Sequence, residues 1–306
     1  MADGRKWPTI SIVTPSFNQG RYLEETIRSI LLQGYPQLEH IVIDGGSRDE
    51  SVAIIKKYER WLSYWVTESD RGQAHAINKG LARCTGEIFN WINSDDYLMP
   101  GALGKIATAF RDEADAVAGT VLNFDENGWE EPLVPARLEA EKLAAYDASA
   151  QWHQPGLWLR RENLLSSGYL DESYDYSFDF DMTIRCLSMF PRVVEIPDVL
   201  VHFRLHPQSK TTSSWERFME ERYRILQKLS TTAIKPSVRK ASRRTLRSIE
   251  WYQFIDNVRN NQHRSRFLRS LELAFAACRD PEVRFTRLTL GTIRRLLFPS
   301  TAQDRM

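Results

Sequence analysis

Glu87-Ile88-Phe89-Asn90-Trp91-Ile92-Asn93-Ser94-Asp95-Asp96 is the stretch that decides the fold. Residues 87–92 read as a buried-type strand, and the chain then breaks into a polar turn carrying two adjacent carboxylates. Ligands of open parallel α/β sheets bind outside the carboxyl ends of the strands. The acidic pair therefore stands at a binding edge, provided that its neighbours are parallel strands.

The preceding sequence supplies those neighbours. Residues 9–14 are apolar or β-branched apart from Ser11; Pro15, Asn18 and Gly20 punctuate the chain, and an amphipathic run follows over 21–33. Residues 39–44 predict a second strand, 45–48 a loop, and 49–60 a helix with Asp49 at its N-cap. Residues 64–67 predict a third strand and 73–83 a helix. Repeated βα units imply a parallel sheet, with the loops carrying Asn18, Asp44, Asp70 and Asp96 opening onto one cleft.

Beyond the acidic pair, a helix is expected from Pro100 to about Arg111, then strands near 116–124 and a polar turn at Asp125-Glu126-Asn127-Gly128. Periodicity weakens through Trp152. From Trp215 onward the pattern is helical and becomes basic beyond Lys235. No repeat of fixed period is present.

With 306 residues, 42% hydrophobic and 26% charged, the chain holds one large α/β domain and a helical extension without disorder. Cys84, Cys186 and Cys278 lie far apart and form no CxxC pair, which argues against a zinc or disulfide framework. Net charge is +1, so bulk electrostatics require no nucleic-acid partner. The first residues lack a signal-peptide pattern and no apolar run reaches membrane-spanning length. A soluble cytoplasmic protein is expected, or one peripheral to the inner face of the cell membrane.

Asp95 and Asp96 offer hard oxygen ligands suited to Mn²⁺ or Mg²⁺ shared with a diphosphate; capping of the helix near Pro100 is the alternative reading. Asp44-Gly45-Gly46-Ser47 ends a buried strand with an acid and with glycines that permit close approach to a flat ligand such as a nucleobase. Asp70 and Arg71 follow the third strand in the same way. Asp175, Asp179 and Asp181 are late carboxylates, one of which could take a proton from a hydroxyl, or which simply form a solvated helix start. His202, Arg204 and His206 alternate as on one face of a strand, suited to metal or phosphate contact or else to packing. Trp152, His153 and Gln154 offer an aromatic face and an amide for a sugar, with core packing of Trp152 equally open.

Together these segments resemble family 2 glycosyltransferases, whose GT-A fold is a Rossmann-like α/β nucleotide-diphospho-sugar transferase fold with a mostly parallel central sheet. The likeness rests on Thr14-Pro15-Ser16-Phe17-Asn18, Ile43-Asp44-Gly45-Gly46-Ser47, Asp70-Arg71-Gly72-Gln73, Asn78-Lys79-Gly80 and Asn93-Ser94-Asp95-Asp96. It continues through Gln154-Pro155, Gly168-Tyr169-Leu170-Asp171, Asp179-Phe180-Asp181 with Arg185, and Arg204 with His206.

The resemblance implies an inverting, metal-dependent enzyme of the hexosyltransferase type. It assigns residues 1–212 to the catalytic domain, with a nucleotide-sugar half over about 8–100 and an acceptor half over about 101–212, and 213–306 to a helical extension. Asp44 is implied to bind the base, Asp70 and Arg71 to neighbour it, Asp96 to ligate Mn²⁺ or Mg²⁺, and Asp95 to face the sugar or ribose. His206 could complete the metal shell, or hold the diphosphate once a loop near Gln208 to Ser213 closes over the site. Pro15, Ser16, Asn18, Gly46, Ser47, Gln73, Asn78, Lys79, Asn93, Ser94, Gln154 and Arg204 complete the implied donor site. The family's base commonly precedes an arginine by six residues, which gives Asp179, with Asp181 as the second choice. Phe178 and His75 depart from the pattern, standing where acids are common.

A UDP-sugar is the favoured donor by that resemblance, and the acceptor a glycan or lipid-linked hydroxyl in surface polysaccharide or glycoconjugate assembly. The basic C-terminal helices offer peripheral membrane contact. A sugar-nucleotidyltransferase would need a basic glycine-rich loop where Pro15-Ser16-Phe17-Asn18-Gln19-Gly20 stands. A non-catalytic nucleotide-sugar-binding protein is the remaining alternative.

Overall fold

The computed structural model describes residues 6–110, 113–210 and 214–297. Its first part is built from β1 (Ile10–Ser16), α1 (Gly20–Leu31), β2 (Leu38–Asp44), α2 (Ser51–Tyr58), β3 (Tyr64–Thr67), α3 (Gln73–Leu81) and β4 (Ile88–Trp91). These are the expected βα units, and the strands pair in parallel in the order β3-β2-β1-β4. Helix α2 starts at Ser51 rather than at residue 49; Asp49 stands before it and accepts the Ser51 amide at 3.0 Å. Because β1 is followed in space by β2 on one side and β4 on the other, the strand order reverses there, and a crevice opens at the carboxyl ends of β1 and β4.

The second part is mixed. After β5 (Tyr97–Leu98) and α4 (Ala102–Ala109) come β6 (Ala116–Asp125), β7 (Glu130–Leu133), α5 (Ala140–Ala144), β8 (Leu157–Arg160), α6 (Arg161–Ser166), α7 (Phe178–Met189) and β9 (Val193–Leu205). Strand β8 inserts antiparallel between β4 and β6, while β9 runs parallel to β6 and antiparallel to β5. The pairing of Tyr97 with His202 draws the end of β9 against the turn that follows β4.

Among the described residues five helices follow: α8 (Trp215–Thr232), α9 (Pro236–Asn260), α10 (Arg266–Cys278), α11 (Pro281–Arg284) and α12 (Arg287–Leu297). Ile225, Leu226 and Leu229 of α8 and Val238 of α9 share one core with Trp91, Phe178 and Ile184, so that core runs across residue 212. The far end of α9 forms a separate small core with α10, from Trp251, Ile255, Val258, Leu273 and Ala277. Among the described residues no helix is long and apolar enough to cross a membrane.

Trp91 ties the sheet to the site. Its ring is almost fully buried and lies 6.1 Å from that of Phe178 at the start of α7. Truncating a buried aromatic of this size costs about 3–5 kcal/mol, and here it would also release the first turn of α7.

Candidate active site

A cleft of about 540 Å³ opens at the reversal point between β1 and β4. Its floor is Pro15, Ser16, Trp91, Asn93, Ser94 and Asp95; Asp70 and Gln73 form one wall, and Gln154, Asp179 and Arg204 another. Ten of the residues expected from the sequence thus meet in one cavity. Gln154 is held there by its amide, which donates to Asn90 Oδ1 and to the Trp91 carbonyl, both at 2.9 Å. His153 also lines the cleft, and burial pushes its pKa down to about 4, so it stays a neutral imidazole near neutral pH.

The two carboxylates after β4 point in different directions: Asp95 faces the cleft, as expected, and Asp96 does not line it. Residues 93–96 form a tight turn closed by the Asp96 amide on the Asn93 carbonyl at 3.1 Å. Asp96 then points inward and is only 1% exposed; its Oδ1 accepts the Arg204 amide at 3.0 Å and its Oδ2 the Asn93 amide nitrogen at 3.2 Å. Burial, reinforced by the neighbouring Asp95 charge, raises its pKa well above the usual carboxylate range. Asp95 faces the cleft, with Oδ2 at 3.1 Å from His206 Nε2. The register of β9 explains the difference: it delivers the Arg204 amide to the carboxylate next to β5 and leaves the preceding one to meet His206. Arg204 fastens the arrangement further, with Nε donating to the Asp95 carbonyl at 3.1 Å and Nη2 to Glu25 at 2.5 Å. His202 does not join them; it bonds the Tyr97 hydroxyl at 2.5 Å.

The β2 loop is knitted rather than open. Asp44 is fully buried and accepts from the Gly46 and Ser47 amides, the Ser47 hydroxyl and the Thr67 hydroxyl at 2.5–3.1 Å. Gly46 has a φ of 86°, a conformation that disfavours any side chain. Asn18, at a φ of 52°, accepts the Arg48 amide at 2.9 Å, and its own amide donates to the Ser47 hydroxyl at 2.7 Å. Asp44, Gly46, Ser47 and Asn18 therefore shape the cleft from behind and are not in its lining. Asp70 does line it, and accepts the Gly72 amide at 2.9 Å.

Three residues placed in the donor site by the sequence lie elsewhere. Arg71 pairs with Glu172 at 2.5 Å, and Lys79 with Glu68 at 2.5 Å. Asn78 brackets Leu170, donating to its carbonyl at 2.9 Å and accepting its amide at 3.1 Å. Each of these side chains is committed to a neighbouring segment before any ligand is considered. Gln73 at the start of α3 remains in the cleft, between the Asn93 carboxamide at 2.8 Å and the Lys210 ammonium at 3.1 Å.

Asp179 and Asp181 separate by position on α7. Asp179 sits in the first turn at the cleft wall, and burial raises its pKa against the opposing field of Arg222. Asp181 is completely buried on the other side, bonded to Arg185 Nε at 2.7 Å, while Arg185 also donates to the carbonyls of Ser167, Gly168 and Tyr169. It cannot meet a substrate; it positions the arginine that holds the 167–169 turn.

Helix α8 supplies what sequence reasoning missed. Trp215, Phe218 and Arg222 line the cleft, and Glu221 accepts the amides of Asp175, Tyr176 and Ser177, each at 2.8 Å. That three-armed clasp fixes the loop leading into α7 and hence Asp179. One signal was available: Glu221 occupies the apolar stripe Phe218, Glu221, Ile225, Leu229, where a carboxylate needs buried partners. Of the closing loop expected near residues 208–213, Gln208, Ser209 and Lys210 line the cleft, and residues 211–213 lie outside the described residues.

The glycosyl transferase family 2 model matches residues 11–167, slightly more than half of the chain. The chain belongs to glycosyltransferase family 2. An uncharacterized glycosyltransferase of Mycobacterium tuberculosis is 41% identical over 90 residues, 29% of this chain and 34% of that protein. The chain therefore matches about a third of that relative's length. Among solved structures, Staphylococcus aureus TarS 1-349 in complex with UDP-GlcNAc superposes with a TM-score of 0.61 at 20% identity, covering 78% of this chain and 70% of that one. The mannosyltransferase PcManGT from Pyrobaculum calidifontis, in complex with GDP-Man and Mn²⁺, gives a TM-score of 0.61 at 17% identity over 97% and 89% of the two chains. At these identities the structural likeness establishes the GT-A fold alone.

Proposed function

We propose that this family 2 protein transfers a sugar from a nucleotide-diphosphate sugar to a hydroxyl of a glycan or lipid-linked acceptor, with inversion. The observation that carries this reading is the convergence, in one cleft at the sheet's reversal point, of Asp95, backed by the buried His206, and the half-buried Asp179.

The donor set fits a divalent cation. A carboxylate oxygen that borders the cleft and a buried imidazole nitrogen from a different element meet at 3.1 Å, a combination suited to Mn²⁺ or Mg²⁺. Among the described residues no third such side chain joins them, which leaves room for substrate oxygens and water. Asp95 and His206 would hold the ion, whose charge offsets that of the diphosphate leaving group. Ser16, Asp70 and Gln73 offer polar contacts to the nucleotide end.

At the other end, Asp179 accepts the proton of the acceptor hydroxyl as its oxygen bonds to the anomeric carbon. The sugar–phosphate bond breaks with its electron pair leaving on the diphosphate. A single displacement of this kind inverts the anomeric centre. Because burial holds the Asp179 carboxylate above its ordinary pKa, it is a stronger base than a solvated one.

A UDP-sugar remains the favoured donor, in line with the UDP-GlcNAc complex of TarS, and the GDP-Man complex of PcManGT makes GDP-mannose the next to test. The acceptor is proposed to be presented at an anionic membrane. Helix α10 exposes Phe267, Leu271 and Phe275 along one side, and residues 261–297 hold eight arginines against three acids. Phe298 and Pro299, part of the same basic tail in the sequence, lie outside the described residues.

The test is a panel of UDP-, GDP- and dTDP-sugars with Mn²⁺ or Mg²⁺, following release of the free nucleoside diphosphate. Release from one donor, dependent on metal, supports the reading. Binding of a donor with no turnover under any acceptor would favour a non-catalytic module.

A further inference from the structure

The family match ends at residue 167, yet α8 carries three residues of the cleft lining. One of them, Arg222, differs from the other cations there. Arg204 is committed to the Asp95 carbonyl and Glu25, and Lys210 to Gln73 Oε1 at 3.1 Å and the Asp175 carbonyl at 2.8 Å. Among the described residues Arg222 makes no hydrogen bond and no ion pair within 4.0 Å, and its Nε is buried without a partner. Its guanidinium lies 4.9 Å over the Phe180 ring, which orients it without using its donors.

A buried donor with no acceptor costs about 1–3 kcal/mol, and a guanidinium offers five donors in a fork that matches oxyanions. Phe180 follows Asp179, the proposed base, on α7, and the Arg222 charge acts on that carboxyl, so Arg222 stands with Asp179 at the proposed acceptor end of the cleft. Trp215, 66% exposed, and Phe218 flank it in the lining with apolar faces suited to a sugar ring.

We propose that Arg222 is an anion-binding residue of the acceptor subsite, and that the acceptor bears a phosphate or carboxylate group near the hydroxyl that receives the sugar. The inference rests on the reading of Asp179 as the base. It deepens that reading by naming the acceptor's chemical class.

The experiment is isothermal titration calorimetry on the full chain. UDP with Mn²⁺ is titrated first; the protein in excess UDP is then titrated with glycerol 3-phosphate, glucuronate, glycerol and glucose. Wild type should bind the charged probes at least about tenfold more tightly than their neutral counterparts, a charge-assisted preference. R222Q should erase that preference, R222K should retain part of it, and UDP affinity should stay within about threefold in both. A larger effect of phosphate or of carboxylate tells which anion the site takes.

Equal binding of charged and neutral probes by wild type would overturn the proposal. So would an R222Q variant that loses UDP affinity, because the guanidinium would then serve the donor diphosphate. If wild type bound no nucleotide at all, the glycosyltransferase reading would fail, whereas an Arg222-dependent preference for anions would still stand on its own.

Discussion

Asp95 Oδ2 and His206 Nε2 meet at 3.1 Å although 111 residues separate them, while the adjacent Asp96 turns its carboxylate to the Arg204 amide. One carboxylate of the pair thus faces the cleft and the other anchors β9. That division of labour organises the proposed donor end of the site, and it depends on the short pairing of β5 with β9.

Asp179 and Asp181 should respond to substitution in different observables. Asp179→Asn should lower kcat by about 10²–10⁴-fold with donor affinity nearly unchanged, as loss of a general base does. Asp181→Asn should instead destabilise the fold by about 3–5 kcal/mol, because it leaves Arg185 beside a broken, buried pair. Steady-state kinetics together with urea unfolding separates the two.

The pH profile of kcat/KM should have its acid limb above the ordinary carboxylate range. Asp179 must be ionised to act, and burial raises its pKa, so activity falls as pH drops through that raised value. Arg222 opposes the shift, so R222Q should move the limb further up in pH. A limb that stays in place would separate the guanidinium from the base.

Glu221→Gln should reduce kcat more than it changes donor KM, since a carboxamide offers one acceptor oxygen where the carboxylate serves three amides. Loss of charge-assisted bonds should also cost about 1–3 kcal/mol of stability. Thermal melts beside donor and acceptor kinetics check both parts.

Vesicle co-sedimentation tests the apolar and basic face of α10. Binding to vesicles containing an anionic phospholipid is expected and should weaken with salt, whereas vesicles of neutral phosphatidylcholine should retain little protein. Replacing Phe267 and Phe275 with serine should reduce binding without affecting donor turnover, since neither residue lines the cleft.

The first half of the fold was legible because strand and helix alternate there with clear periods and glycine or proline punctuation. β5, β7 and β8 were not: β5 has two residues, β7 is largely exposed and contains Pro132, and β8 stands outside the regular strand-helix rhythm that marked the equally short β3 and β4. The residues gathered in the cleft were mostly legible, as Ser16, Asp70, Asn93 and Asp179 illustrate. The orientation of Asp95 against Asp96 was not: both stand in a turn, where strand alternation no longer says which side chain faces which way. Asn78 and Lys79 misled for a related reason. Their polar character serves contacts to Leu170 and Glu68, and one chain read alone does not reveal such distant partners. Glu221 left only the trace of a charge inside an apolar stripe.

The most direct measurement is Mn²⁺-dependent nucleotide binding and turnover in wild type, Asp95→Ala and Asp96→Asn. The account predicts that wild type binds UDP or another nucleoside diphosphate more tightly with Mn²⁺, and that Asp95→Ala abolishes both the metal effect and donor turnover. Asp96→Asn should keep the metal effect while losing stability. A metal effect that survives in Asp95→Ala and vanishes in Asp96→Asn would contradict the assignment at the centre of this site.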